Sequence, residues 1–295
     1  MSGPPSPLSF AAPSALDYFA TLVAEDASLP LVEAALALAQ DAYPQVDIQD
    51  ALARIDALAQ RLRRRIPADA VALQRLRWLN RFFFEELGFA GNLNHYDDPD
   101  NSYLHRVIET RRGIPITLAV LYIELATQIG LAASGVSFPG HFLVKMRMHN
   151  GERPGEVVID PFSGRSLSRE ELDERLAPYK RLRGLPADFE TPLGMFLQSA
   201  SARDVLARML RNLKQIHRGN ADTQQWLAVQ HRLVTLLPQD WEERRDRGLL
   251  LADLGQVAAA LQDLAACLEH LSRAADRSAV RQRIQQLRSD ASGLH

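Results

Sequence analysis

Apolar residues Ile48, Leu52, Ile55, Leu58, Leu62 and Ile66 recur at steps of three and four, the spacing of one face of an α-helix. Arg61, Arg63, Arg64 and Arg65 close that stretch and suit the negative pole of the helix dipole. They are read as a solvated helix end, not a nucleic-acid patch. Upstream, Ser14 and Ser28 are predicted N-caps before Ala/Leu-rich stretches. Asp69 is a predicted cap for a helix running to Leu87 and stopping at Gly88, with Trp78, Phe82, Phe83 and Phe84 as core filling. Gly91 to Asp100 is loop by composition. Asn101 is predicted to cap a helix ending at Gly113. Pro115 then opens another, carrying Leu118, Leu121, Tyr122 and Leu125 to Gly130; proline first and glycine after is the expected asymmetry.

The period then changes. Phe142–Met148 and Glu156–Asp160 read as short strands joined near Asn150-Gly151. Ser168 and Glu171 make a capping box for a short helix ending near Pro178. Residues 181–200, with Gly184, Pro186, Pro192 and Gly194, look like a linker or long surface loop. Beyond residue 201 the chain is helical again, with a weak repeat of about 34 residues. Trp241, Gly248, Leu251, Ala260, Leu264 and Cys267 fall at tetratricopeptide positions, and Trp226 and Pro238 occupy matching places one unit earlier. Residues 276–289 are predicted to close the last repeat.

Composition narrows the class. The 295 residues carry 34 bases and 36 acids, a formal net charge of −2, so a general nucleic-acid binder, which needs a basic surplus, is disfavoured. The single cysteine, Cys267, excludes an internal disulfide framework and a Cys-rich zinc site. No Lys or Arg precedes Arg54 and no uncharged apolar run is long enough to span a membrane, so neither a secretory leader nor a membrane span is read and the expected location is cytoplasmic. Nothing in the sequence singles out an oligomeric interface.

The candidate chemistry is thin. Phosphate-loop, dinucleotide and H-E-x-x-H patterns are missing, so no cofactor is expected. Gly135-Val136-Ser137-Phe138-Pro139 approaches a nucleophile elbow but ends in proline. His95, Asp97, Asp98 and Asp100 could hold a hard cation, yet they lack the spacing of a calcium loop, and a capped, solvated loop is preferred; no metal is expected. His141 before one predicted strand and Asp160 ending the next would be neighbours if the strands pair. The carboxylate would then orient the imidazole, as in sites that activate a nucleophile; a histidine bonded only for structure is the competing reading. Arg111 and Arg112 could grip a carboxylate or phosphate, or simply pair with Glu109 or Asp97.

The runs Arg111-Arg112-Gly113-Ile114-Pro115-Ile116-Thr117-Leu118, Val136 to Leu143 and Ile159-Asp160-Pro161-Phe162 resemble those of the SirB-type transglutaminase-like proteins. The resemblance covers about residues 30–290. It implies an α+β, predominantly helical fold: a transglutaminase-like (papain-like) core with a small antiparallel sheet, followed by tetratricopeptide-like helices. The expected division is a flexible 1–13, a core over 14–180, the linker over 181–200 and repeats over 201–295. In that superfamily a Cys at a helix start works with His on one strand and Asp on the next. Here Gly113-Ile114-Pro115 aligns with the G-x-C that active members carry, His141 and Asp160 match the other two positions, and proline stands where the thiol belongs.

Proline offers no thiol, hydroxyl or amine. Thr117 is a weak alternative, two residues on and rotated roughly 200° about the helix axis. Cys267 sits where a repeat wants a small apolar side chain. The expectation is therefore a pseudoenzyme, a scaffold binding a protein or peptide through its repeats and core cleft, with Arg111, Arg112, Asn94, Tyr96, Tyr122 and Phe138 as candidate binding residues. The alternative is a hydrolase or acyl transferase in which His141, oriented by Asp160, activates water or a hydroxyl, with N–H groups near Ile116 and Thr117 as an oxyanion site.

Overall fold

In the computed structural model, residues 13–150, 153–186 and 192–292 are described; most of the predicted N-terminal loose end and part of the linker lie outside them. Helix α1 (Ala15–Leu22) begins at a capping box between Ser14 and Asp17. Helix α2 (Leu31–Ala37) does not start at Ser28: that serine lies in a 3-10 turn, Asp26–Ser28, and Pro30 takes the N-cap position, its fixed φ leading the chain into the helix. The Ile48–Ile66 stripe forms α3 (Ile48–Arg63), capped by Asp47, with Ile55 and Leu62 buried.

Two further helix starts differ from expectation. Helix α4 (Ala72–Asn80) is capped at Val71, not Asp69, because residues 67–70 close their own turn and the Gln74 side chain accepts from the Val71 N–H. Its ladder then widens into a π-turn over Arg81–Glu86, and Leu87 N–H donates to Phe82 O, five residues back. Phe82 and Phe83 are both buried there, Phe83 stacked on Phe89 at 4.4 Å. Asn101 is not a helix cap either. It sits in a 3-10 turn (Pro99–Ser102), where its amide donates to the His95 and Tyr96 carbonyls, and Tyr103 leads α5 (Leu104–Thr110). That helix stops at Arg111, whose φ of 61° is left-handed.

Strands β1 (Ala90–Gly91) and β2 (Arg112–Gly113) pair in parallel, immediately ahead of α6 (Pro115–Gln128). Helix α6 is apolar nearly all round and correspondingly buried nearly all round, the signature of a central helix. Against it lies an antiparallel sheet in the order β3 (Ala132–Val136), β4 (Leu143–Asn150), β5 (Arg153–Asp160), β6 (Arg165–Leu167). The outer two strands were not legible by alternation: β3 is Ala-Ala-Ser-Gly-Val and β6 has three residues. Along β4 and β5, Val144, Met146 and Ile159 face the main core, while Leu143 and Val158 face a smaller cluster with Leu172, Leu176 and Leu193.

Helices α7 (Arg169–Arg175), α8 (Ala177–Leu182) and α9 (Leu193–Phe196) follow, α7 opening at the Ser168–Glu171 capping box. Five helices follow among the described residues: α10 (Ala202–Gly219), α11 (Thr223–Leu236), α12 (Trp241–Asp253), α13 (Val257–Leu268) and α14 (Ala274–Ser292). The main core runs across residue 201: Leu206, Met209, Leu210, Leu213 and Leu233 belong to the same cluster as Leu36, Leu104 and Leu118. Helices α12 to α14 enclose a second cluster with Leu251, Leu264, Cys267 and Ile284. Gly248 allows the tight α12–α13 approach, since a Cβ there would meet Leu264 at 2.9 Å.

Candidate functional site

Pairing Val144 with Ile159 brings His141, two residues before β4, and Asp160, the last residue of β5, to the same end of the sheet. His141 Nε2 and Asp160 Oδ1 are 2.8 Å apart there. Asp160 is buried and fully engaged: the Phe162 N–H donates to Oδ1 at 3.0 Å, and Arg175 Nη2, from the end of α7, donates to Oδ2 at 2.9 Å. Burial alone would raise its pKa, but the hydrogen bonds and charge of His141, then Arg175 and the Phe162 N–H, hold the carboxyl well below the usual carboxylate range. With Nε2 committed, Nδ1 is the ring nitrogen left for other partners, and the imidazole is partly exposed.

The surrounding backbone is shaped for this corner. Gly140, at a φ of 71°, turns the chain so that the His141 N–H donates to Phe138 O at 3.1 Å. The Phe162 ring lies 6.4 Å from the imidazole and fills the space over Gly91, where a Cβ would sit 2.2 Å from the ring. Gly91 in turn pairs with Gly113, two residues before Pro115. Pro115 is buried as the first residue of α6. The Thr117 hydroxyl donates to Asn101 O at 2.7 Å and to Ile114 O at 3.0 Å, wholly buried. Among the described residues, no thiol or hydroxyl is hydrogen-bonded to the His141 ring.

A cleft opens beside the corner, between the core and α10. Tyr96, whose ring centroid is 6.0 Å from that of Phe162, lines a cavity of about 410 Å³ with Ile114, Asn212, Gln215 and Asn220. His141 is not part of that lining. One turn before Asn212, Arg208 donates to Ser137 Oγ at 2.7 Å. Arg208, Asn212 and Gln215 share one face of α10.

Several sequence candidates lie elsewhere. Tyr122 is a core residue, fully buried with its hydroxyl donating to Asn80, so it lines no cleft. Phe138 is buried in the smaller cluster. Arg111 and Arg112 pair with neither Glu109 nor Asp97. Arg106 bonds Glu109, with Arg54 3.8 Å from it, while Arg111 lies over the Phe89 ring and Arg112 donates to Gly88 O at 2.6 Å. Asn94 is exposed on the loop. Asp98 caps the 3-10 turn and Asp100 accepts from Tyr43 and Arg106; among the described residues no group of three or more His, Cys, Asp or Glu is placed to hold a metal. The arginine run is not a bare solvated end: Arg65 pairs with Glu86, Arg63 donates to Gln128 O, and Arg61 and Arg65 lie over Phe82. Cys267 is buried, with its Sγ donating to Leu264 O, and burial pushes the thiol pKa up. Sequence reasoning missed Arg175, Phe162 and Arg208. Phe162 follows Asp160 in a quoted motif, but the two arginines carry no local signal.

A helix-start corner, a histidine just ahead of one strand and an aspartate ending the next, joined to paired helices, define a transglutaminase-like core with tetratricopeptide repeats. The chain belongs to the transglutaminase-like superfamily, whose family model matches residues 49–211; a tetratricopeptide repeat model matches residues 213–285. Among its relatives, a UPF0162 protein of Xylella fastidiosa is 38% identical over 81% of this chain and 83% of its own length. A UPF0162 protein of Vibrio cholerae is 28% identical over 82% and 87%, and the protein SirB1 of Salmonella typhimurium 26% identical over 77% and 80%.

Proposed function

We propose that this chain is a non-catalytic transglutaminase-like scaffold, holding a protein or peptide in the cleft between core and α10 and along its repeat helices. The observation that carries the reading is Pro115: the first residue of α6 has no group for His141 to deprotonate. Thiol chemistry needs a thiolate stabilised at such a helix start. The nearest hydroxyl on the helix, Thr117, is spent on two carbonyls, and the only thiol is buried in α13. The repeat architecture supports a protein-interaction role. No described helix is long and apolar enough to cross a membrane, and a cytoplasmic location goes with this reading.

The test is turnover. Purified protein is incubated with a glutamine-bearing peptide and a fluorescent primary amine, and separately with amide and ester substrates. The expected outcome is no product above buffer, unchanged in His141→Ala. Product formation that disappears in His141→Ala overturns the reading.

One observation favours a second reading, a hydrolase using His141 as general base: Asp160 is ionised, buried and bonded to the imidazole, an arrangement that would stabilise an imidazolium. The α6 N–H groups of Ile116 and Thr117 would then serve the oxyanion. Hydrolysis abolished by His141→Ala and weakened by Asp160→Asn supports this reading.

A further inference from the structure

Helix α10 sets one guanidinium against the turn that carries His141, with no carboxylate paired to it among the described residues. Arg208 Nη1 donates to Ser137 Oγ at 2.7 Å and to Phe138 O at 3.4 Å, and the guanidinium lies 5.5 Å over the Phe142 ring. The same Phe138 carbonyl accepts the His141 N–H, so Arg208 and His141 are fastened to one turn. The Tyr96 ring lies 6.0 Å from that of Phe162, which in turn lies 6.4 Å from the imidazole.

Arg208 differs from several neighbouring arginines. Arg203, Arg211, Arg232 and Arg247 in the same helices each hold a carboxylate. Among the described residues none forms an ion pair with Arg208, although burial disfavours its cation. Only Nη1 is engaged; Nε and Nη2 have no hydrogen-bond partner among the described residues. A planar fork with two spare donors fits a carboxylate bidentately. Farther along the same helix face, the amides of Asn212 and Gln215 line the cavity, joined by that of Asn220 at the helix end, and each both donates and accepts, as a peptide main chain requires. Asp97, the one carboxylate in that lining, is exposed, and its charge disfavours an acidic group inside the cavity itself.

We propose that Arg208, on the turn it shares with His141, takes a peptide carboxylate, with the neighbouring peptide groups held by the Asn212 and Gln215 amides in the adjoining cavity. This deepens the scaffold reading and rests on the cleft being a binding site. The carboxylate belongs either to a chain end or to an acidic side chain, and the two sources are separable.

Full-length protein with 13C-labelled histidine is titrated with three probes: N-acetylglutamine, which carries the α-carboxylate; N-acetylglutamate α-amide, which carries the side-chain carboxylate; and neutral N-acetylglutaminamide. The readout is the His141 ring signal, assigned by its loss in His141→Gln. A saturable shift is expected with at least one carboxylate probe, with the neutral probe weaker by about tenfold or more; the probe that binds tells chain end from side chain. Arg208→Gln is expected to reduce carboxylate binding to the level of the neutral probe, and Arg208→Lys to retain part of the preference. No saturable shift with either carboxylate, equal binding of all three probes, or unchanged preference in Arg208→Gln overturns the proposal. The comparison of probes on the unaltered protein is decisive even if a variant misfolds. Turnover of a probe with the carboxylate preference intact removes the non-catalytic reading and leaves the role of Arg208 supported.

Discussion

Replacing Asp160 with Asn keeps the size of the side chain and removes the charge that His141 and Arg175 share. Removing one partner of a buried ion pair costs about 3–5 kcal/mol. Here the Asp160 side chain is 5% exposed, but those of His141 and Arg175 are 23% and 35% exposed and recover water. The expected loss is therefore smaller, about 2–3 kcal/mol at neutral pH. The sign of its pH dependence follows from the lowered pKa. A carboxyl whose folded pKa lies below its unfolded value near ~3.9 contributes its full stability above that value and loses it as pH falls through the folded one. Urea unfolding of both proteins at several pH values reads this directly. The gap should shrink below about pH 4, and be halved in an Arg175→Met background, where one of the two side-chain partners is already gone. A gap under about 0.5 kcal/mol, or one that grows on acidification, would refute the account of Asp160 as a buried, ionised anchor.

Gly91→Ala should force the Phe162 ring away, since a Cβ there would meet it at 2.2 Å; a loss of about 1–3 kcal/mol in urea unfolding is expected together with a displaced His141 NMR signal. Gly248→Ala should cost a similar ~1–3 kcal/mol by pushing Leu264 and loosening α12 from α13, while leaving the His141 signal in place. Glu243→Gln removes a buried charge that accepts from Arg211, Lys214 and Gln230; because Lys214 keeps Asp246 and Arg211 keeps Asp240, a loss of about 2 kcal/mol is expected by thermal or urea melts. Iodoacetamide should leave native Cys267 unmodified at neutral pH and label it only in denaturant, as followed by mass spectrometry; rapid labelling of the folded protein contradicts its burial.

Local signals read well wherever a single element decides its own form. The Ile48–Ile66 stripe, the Ser14 and Ser168 capping boxes, Pro115 at a helix start and the tetratricopeptide spacing all act within about one or two turns or one repeat, so the chain announces them. They read poorly at Ser28, Asp69 and Asn101, where a plausible capping side chain lost to a turn that had already formed beside it. The binding candidates show the same divide. Tyr122 carries a polar tip that suggests a cleft, but α6 is the central helix and Asn80 meets that hydroxyl in the interior.

By itself the sequence determined the longer helices, the two central strands, the family pattern and the proline at the head of α6, because each depends on residues adjacent in the chain. Only the tertiary structure decided that Arg175 and Phe162 secure Asp160, that α10 packs into the main core, and that Arg208 shares the Phe138 carbonyl with His141 with no ion pair among the described residues. Those partners come from other elements, and Arg208 lies 67 positions from His141. A solvated arginine and one stripped of its counter-ion look identical in sequence; packing around the guanidinium is what distinguishes them.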